Sequence, residues 1–179
     1  MLLPRQVIKF NQLIKQGFSS KEITTLSASL KLFPTPFKGI YYIPSRDERE
    51  GWFIEKPLSI LTKSIAAFLR TDSFYYSCAT AEEFWGISWH PSGKVHVVNS
   101  IVSDHIDLKK RVERSIRKNS YRAKKIAKLL SLYGNDIIFH KAKSTVDAKI
   151  KQTPYGTFAH RSQIRKDKKR FRESSKNGS

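Results

Sequence analysis

The fold is decided first by residues 37–44, which read FKGIYYIP. Aromatic and β-branched residues fill this segment, as is typical of a strand. The preceding Pro34-Thr35-Pro36 excludes a helix immediately before it, because proline lacks the backbone donor and restricts its neighbour. The segment therefore predicts a strand that follows a break in the chain.

Two helices are predicted upstream of this strand. Residues 4–16 place apolar side chains at helical spacing, with Pro4 in the first turn and Gly17 at the end. Ser19 and Glu22 have the spacing of a capping box, which predicts a second helix from about Ser20 to Leu30. Two short helices followed by a β element resemble a winged helix-turn-helix.

Downstream, residues 45–51 mix acidic and basic side chains and predict a surface linker with a module boundary. The remaining pattern predicts a helix at 57–69, a strand at 74–76, a short helix at 80–85, and strands at 94–98 and 137–140. The predicted fold class is α+β. It comprises a winged-helix-like module at 1–45, an α/β domain at 46–160 and a disordered basic tail at 161–179.

The charge of the chain is large and unevenly distributed. The net charge is +19, and residues 109–179 carry 22 Lys and Arg against 5 Asp and Glu. A surplus of this size indicates a polyanionic partner. Ten of these cations fall within residues 109–128, where Glu113 is the only carboxylate.

The same stretch has an apolar stripe at helical spacing. It predicts either one long amphipathic helix or two helices broken at Asn119-Ser120. The stripe consists of Leu108, Val112, Ile116, Ala123, Ile126 and Leu130. With this stripe on the core, the cations would face a nucleic-acid backbone. The predicted nucleic-acid contacts are Lys109, Lys110, Arg111, Arg114, Arg117, Lys118, Arg122, Lys124 and Lys125, with Lys38 and Tyr41 as secondary candidates.

No catalytic residues, metal ligands, cofactor or small-molecule substrate are predicted. The five histidines are scattered, without zinc-ligand spacing, and His96 is interpreted as an ordinary strand residue. Cys78 is the single cysteine, so an intrachain disulfide is excluded and a reducing compartment is indicated. No apolar run approaches the roughly 20 residues that span a bilayer. The sequence thus predicts a soluble, cytoplasmic, non-enzymatic protein.

Several segments together resemble the AbiEi-like antitoxin and transcriptional regulator family. They are GIYY at 39–42 followed by Pro44, the proline-led helix at 57–69, FYYSCATAEEFWGIS at 74–88 and KVHVV at 94–98. The resemblance covers roughly residues 4–100. It implies a winged helix-turn-helix joined to an α/β antitoxin domain. It also implies a host-defence protein that represses its own operon and counters a nucleotidyltransferase toxin.

The sequence departs from that pattern between Leu30 and Phe37, where a normal recognition helix does not fit. DNA contact is therefore expected mainly at residues 109–128. RNA is an alternative target, because exposed tyrosines can stack on bases. A second alternative is a protein-interaction module that binds a partner enzyme through an aromatic patch. That patch would consist of Tyr75, Tyr76, Phe84, Trp85 and Trp89, for which a place in the core is the competing interpretation.

Overall fold

The computed structural model describes residues 5–176, with side chains up to Phe171. The chain forms two compact units, each built from two separate segments. The first unit contains residues 1–70 and 108–133, and the second contains residues 71–107 and 134–179. The module boundary predicted at residue 45 therefore falls inside the first unit.

The described residues form a mixed α+β structure. In chain order the elements are β1 (Gln6–Lys9), α1 (Phe10–Lys15), α2 (Ser20–Ala28), β2 (Phe33–Pro34), β3 (Ile40–Ile43), α3 (Arg46–Gly51), α4 (Pro57–Leu69), β4 (Phe74–Tyr76) and α5 (Cys78–Phe84). They continue with β5 (Lys94–Asn99), β6 (Asp104–Asp107), α6 (Leu108–Arg117), α7 (Tyr121–Ser131), β7 (Asp136–Lys141), β8 (Ile150–Thr153), β9 (Gly156–Ala159) and α8 (Arg161–Lys176). Among the described residues, no helix combines the length and the apolar character needed to cross a bilayer.

The first unit has a three-stranded antiparallel sheet in the order β1-β3-β2. The strand predicted at 37–44 is confirmed as β3, but the helix predicted at 4–16 is wrong over its first half. Gln6–Lys9 instead pairs with β3, with Val7 opposite Tyr42. The β-branched Val7 and Ile8 suit a strand, and pairing gives their backbone groups hydrogen-bond partners that an isolated first turn lacks.

The capping box predicted at the second helix is confirmed. Ser19 Oγ accepts a hydrogen bond from the backbone N–H of Glu22 at 3.2 Å, and the Glu22 carboxylate accepts one from the N–H of Ser19 at 2.8 Å. Ile23 on this helix joins a core with Ile8, Leu13, Leu32 and Ile43. The cap therefore fixes where the helix begins, and the core fixes which of its faces is buried.

Residues 45–51 are not the surface linker that the sequence predicts. Arg46–Gly51 forms the helix α3, capped by Ser45, and its Glu48 side chain is only 1% exposed. A charged residue this deep must have partners, since burying an unpaired carboxylate is costly. Its partners lie in the first unit, so this segment belongs to that unit.

The predicted helix at 57–69 is confirmed as α4, and the basic stretch is resolved into the two helices α6 and α7. The two helices are separated at Asn119-Ser120, the position at which the sequence predicts a possible break. Asn119 has a left-handed φ of 49°, and Ser120 caps α7 by accepting from the N–H of Ala123 at 3.2 Å. Asparagine tolerates this conformation better than most residues, and serine favours the cap.

The second unit has a six-stranded mixed sheet in the order β6-β7-β5-β4-β9-β8. The strands predicted near 74–76, 94–98 and 137–140 are confirmed as β4, β5 and β7. The strands β6, β8 and β9 are not predicted by the sequence. The strands β6 and β8 are mostly exposed and lie at the edges of the sheet, so they lack the apolar alternation of a half-buried strand.

The disorder predicted for residues 161–179 is wrong for Arg161–Lys176, which forms the helix α8. Ile164 and Asp167 on this helix are both buried. The few groups that α8 buries are therefore enough to order it, although its composition is mostly charged. Residues 177–179 of the predicted tail lie outside the described part of the chain.

Candidate nucleic-acid interface

The helices α6 and α7 pack against each other and are joined by three residues, 118–120. Leu108 is fully buried at the start of α6, and α7 buries Ala123, Ala127, Leu129 and Leu130. These apolar contacts hold both helices in the first unit, where α7 also packs against β2. The predicted apolar stripe is broken at Ile116, which is 53% exposed.

Most of the predicted phosphate contacts on this helix pair are exposed. We give the name basic surface to these exposed side chains together with the neighbouring Lys128, which is not among the predicted contacts. Its members are Lys109, Lys110, Arg114, Arg117, Lys118, Arg122, Lys124 and Lys128. Glu113 is the only carboxylate within residues 109–128, so this stretch contributes little negative charge of its own.

Arg111 has a structural role that the sequence does not reveal. Its side chain is half-buried, and its guanidinium donates a hydrogen bond to the backbone carbonyl of Pro36. Burial lowers the pKa of Arg111, and the nearby charge of Arg114 acts in the same direction. Arg111 therefore ties α6 to the segment before β3 and is less accessible to a phosphate than its neighbours.

Lys125 is also engaged within the unit. Its Nζ lies 4.5 Å from the ring centroid of Trp52 and 5.0 Å from that of Tyr121. Trp52 in turn stacks on Phe33, with the ring centroids 6.1 Å apart. These cation–π contacts hold the ammonium group at the edge of the core, so Lys125 is not part of the basic surface.

The two secondary candidates differ in position. Lys38 is exposed in the connection between β2 and β3, next to Gly39, whose positive φ of 73° suits a turn. Tyr41 is half-buried and packs against the core of the first unit. Of the two, Lys38 is the side chain that a ligand could reach. Residues 29–39, all of them described, contain the two-residue strand β2 and no helix.

The aromatic residues proposed for partner binding do not form a surface. Tyr75 and Tyr76 are buried in β4, and Phe84 stacks on the buried Phe158 with the ring centroids 3.8 Å apart. Trp85 donates its indole N–H to the carbonyl of Ala159 at 2.9 Å. Trp89 alone of the five is fully exposed, at 86%. Tyr75 and Tyr76 therefore belong to the core, Phe84 and Trp85 are half-buried, and Trp89 is the one exposed member of the set.

The structure also brings together three residues that the sequence treats as unrelated. Cys78, His96 and His140 come from three parts of the chain, and their side chains meet in the second unit. Their spacing of 18 and 44 residues matches no recurrent ligand motif. No signal in the sequence could have found this cluster, because it depends on the pairing of the strands.

Most of the net positive charge of the chain lies in the first unit. Residues 1–70 and 108–133 carry 21 Lys and Arg against 6 Asp and Glu, a net +15 of the chain's +19. The second unit carries the remaining +4 and therefore has a far more balanced composition.

Comparison of the chain with protein-family models, with curated proteins and with solved structures finds no match.

Proposed function

We propose that this chain is a nucleic-acid-binding protein that contacts the backbone of duplex DNA through its basic surface. The observation that carries the proposal is the exposure of eight cations on two packed helices and their connection, a segment that contains a single carboxylate. Duplex DNA carries one negative charge per roughly 1.7 Å of its axis, and its neutralisation releases counterions. Such contacts supply affinity and do not read the base sequence.

The connection between α6 and α7 supports this proposal. Three residues join the helices, with Asn119 in the left-handed conformation, and a connection of this length is typical of helix-turn-helix units. The winged-helix-like interpretation of residues 1–45 remains part of the proposal. In it, Lys38 lies at the tip of the wing, between β2 and β3, and adds one cation to those of α6 and α7.

The resemblance to AbiEi-like regulators extends the proposal to a biological role. On this basis the chain is a cytoplasmic transcriptional regulator that represses its own operon and counters a nucleotidyltransferase toxin. The net +15 of the first unit is consistent with a DNA-binding part, but the toxin partner rests on the resemblance alone. A partner-enzyme surface made of the five aromatic residues is not part of the proposal, since two of them are buried and two are half-buried.

The test compares two variants that lose the same charge from different units. The first replaces Arg114, Arg117, Arg122 and Lys124 of the basic surface with Ala, and the matched control replaces Arg161, Arg165, Lys166 and Lys169 of α8. All eight side chains are exposed, and Ala retains helix propensity. We expect the first variant to lose affinity for every duplex sequence and to reduce the salt slope by up to about four units.

The control variant should keep most of the affinity and most of the slope of the unmodified chain. Filter binding over a range of salt concentrations measures both quantities. An equal loss in the two variants would show that only the net charge matters, and normal binding by the first variant would place the interface elsewhere.

A further inference from the structure

The cluster of Cys78, His96 and His140 has the geometry of a metal site. The Cys78 Sγ and one ring nitrogen from each histidine all lie within 4.8 Å of one another. His96 Nδ1 and His140 Nε2 are 2.9 Å apart, and the two rings are parallel to within 3°. Ligand atoms that share one Zn²⁺ ion are about 3 to 4 Å apart, given Zn–N and Zn–S bonds of about 2.0 and 2.3 Å. The three side chains therefore need only small adjustments to hold one ion.

Three neighbouring strands of one sheet position these ligands. His96 lies on β5 and His140 lies on the neighbouring parallel strand β7. Val98 is opposite His140 in this pairing, so His96 is two residues away from the position opposite His140. Cys78 begins α5, and Ser77 alone separates it from β4. The strand β4 pairs with β5 on the side of β5 that faces away from β7. Because the sheet fixes β4, β5 and β7 side by side, the cluster is held by the scaffold of the second unit.

The surroundings orient the ligands without blocking them. His140 stacks on Phe171 with the ring centroids 4.1 Å apart. Lys168 on α8 is paired with Glu82 at 2.7 Å, so its charge is compensated. Asp167 accepts from Ser77 Oγ at 2.6 Å, next to Cys78. Burial is the main cause that lowers the pKa of His96, to about 4, and burial also lowers that of His140.

A cavity of about 310 Å³ opens onto the cluster. Besides the three ligands, it is lined by Ala79, Ile138, Lys168 and Phe171. Structural zinc sites are closed by four protein ligands, whereas three protein ligands beside an open cavity leave one position for water or a small ligand.

We propose that Cys78, His96 and His140 bind one thiophilic transition-metal ion of the Zn²⁺ class, with a fourth coordination position open to this cavity. A thiolate and two imidazoles form a ligand set suited to zinc and disfavoured by Mg²⁺ and Ca²⁺, which prefer oxygen ligands. The site lies within the second unit, so it adds a function that is separate from the proposed DNA contacts of the first.

The test uses the full, tag-free chain, stripped of metal with a chelator and titrated with Co²⁺. Because Cys78 is the only cysteine in the sequence, a thiolate-to-cobalt charge-transfer band reports this residue alone. We expect one equivalent of Co²⁺ to saturate the band and one equivalent of Zn²⁺ to abolish it. The absence of stoichiometric binding at micromolar metal would overturn the proposal.

Ligand variants then locate the site. Cys78→Ser, His96→Gln and His140→Gln should each weaken Zn²⁺ binding at least about 100-fold, more than the usual loss of a hydrogen-bond partner of a ligand. His160→Gln is the matched control, because His160 is exposed and outside the cluster. Unchanged affinity in the three ligand variants would overturn the assignment.

Like the cobalt titration, a second measurement uses the unmodified chain and does not depend on how the variants fold. Bound Zn²⁺ should slow the alkylation of the Cys78 thiol by iodoacetamide by at least about tenfold, since the metal competes for the same sulfur. An unchanged alkylation rate at saturating Zn²⁺ would also overturn the proposal.

Discussion

Glu48 shows how one buried charge can organise the first unit. Its carboxylate accepts hydrogen bonds from Tyr42 Oη at 2.6 Å, from the backbone N–H of Ser45 at 2.9 Å and of Glu55 at 3.0 Å, and from Arg5 at 2.7 Å. These partners come from before β1, from β3 and from the segments that precede and follow α3. The side chain therefore ties together segments that are far apart in sequence.

This network makes the stability of the first unit depend on pH. Burial raises the pKa of Glu48, but the hydrogen bonds from Tyr42 and the backbone, with the charge of Arg5, outweigh it and hold the pKa below the ordinary 4.5. A carboxyl group with a lowered pKa stabilises the folded state above its unfolded pKa. That contribution is lost as the pH falls below 4.5 and through the folded pKa.

Replacing Glu48 with Gln should therefore reduce the free energy of unfolding at neutral pH by about 2 kcal/mol, the typical worth of hydrogen bonds to a buried charge. The difference from the unmodified chain should shrink as the pH is lowered below 4.5, because the unmodified carboxylate then becomes protonated. Urea unfolding at several pH values measures this. Glu50→Gln, an exposed residue of the same helix, should have little effect. A pH-independent difference for Glu48→Gln would contradict this account.

At the scale of elements, the break between α6 and α7 determines how the basic surface is arranged. A continuous helix from Leu108 to Ser131 would present its cations along a single axis. The left-handed Asn119 and the cap at Ser120 instead allow the two helices to pack against each other.

The substitution Ser120→Ala distinguishes these two arrangements. In the two-helix structure it removes the hydrogen bond to the N–H of Ala123 and should destabilise the protein by about 1 kcal/mol. In a continuous helix the same change would be stabilising, because Ala has a higher helix propensity than Ser. Thermal or urea unfolding measures the sign. Ser131→Ala serves as a control at the other end of α7, since its side chain is exposed.

For the whole molecule, the concentration of charge predicts how binding depends on salt. If about six phosphates are contacted, the logarithm of the association constant should fall against the logarithm of the salt concentration with a slope near −5. A filter-binding titration with a duplex of arbitrary sequence tests this, with single-stranded RNA of equal length as the comparison. A slope shallower than about −2 for the duplex would be incompatible with the basic surface as the interface. Stronger binding of the RNA would favour the alternative target.

Local signals predicted much of the structure. The capping box of Ser19 and Glu22, the proline-led helix α4 and the strands β3, β4, β5 and β7 are present as expected. Each depends on side chains within a few residues, whose spacing and propensity can be seen in the sequence. The edge strands β6 and β8 carry mostly exposed side chains, and α8 buries few groups, so the same signals are weak in them.

The sequence by itself determined the α+β class, the cations of residues 109–128 and the two possible ways of arranging them. Only the tertiary structure decided which residues act together. It places α6 and α7 in the unit of residues 1–70, although 37 residues separate the two segments, and it buries Arg111 and Lys125 partly against that unit. It also pairs β5 with β7, which brings His96 to His140 across 44 residues. The physical reason is that packing and strand pairing join groups that are distant along the chain, whereas spacing and propensity describe neighbours.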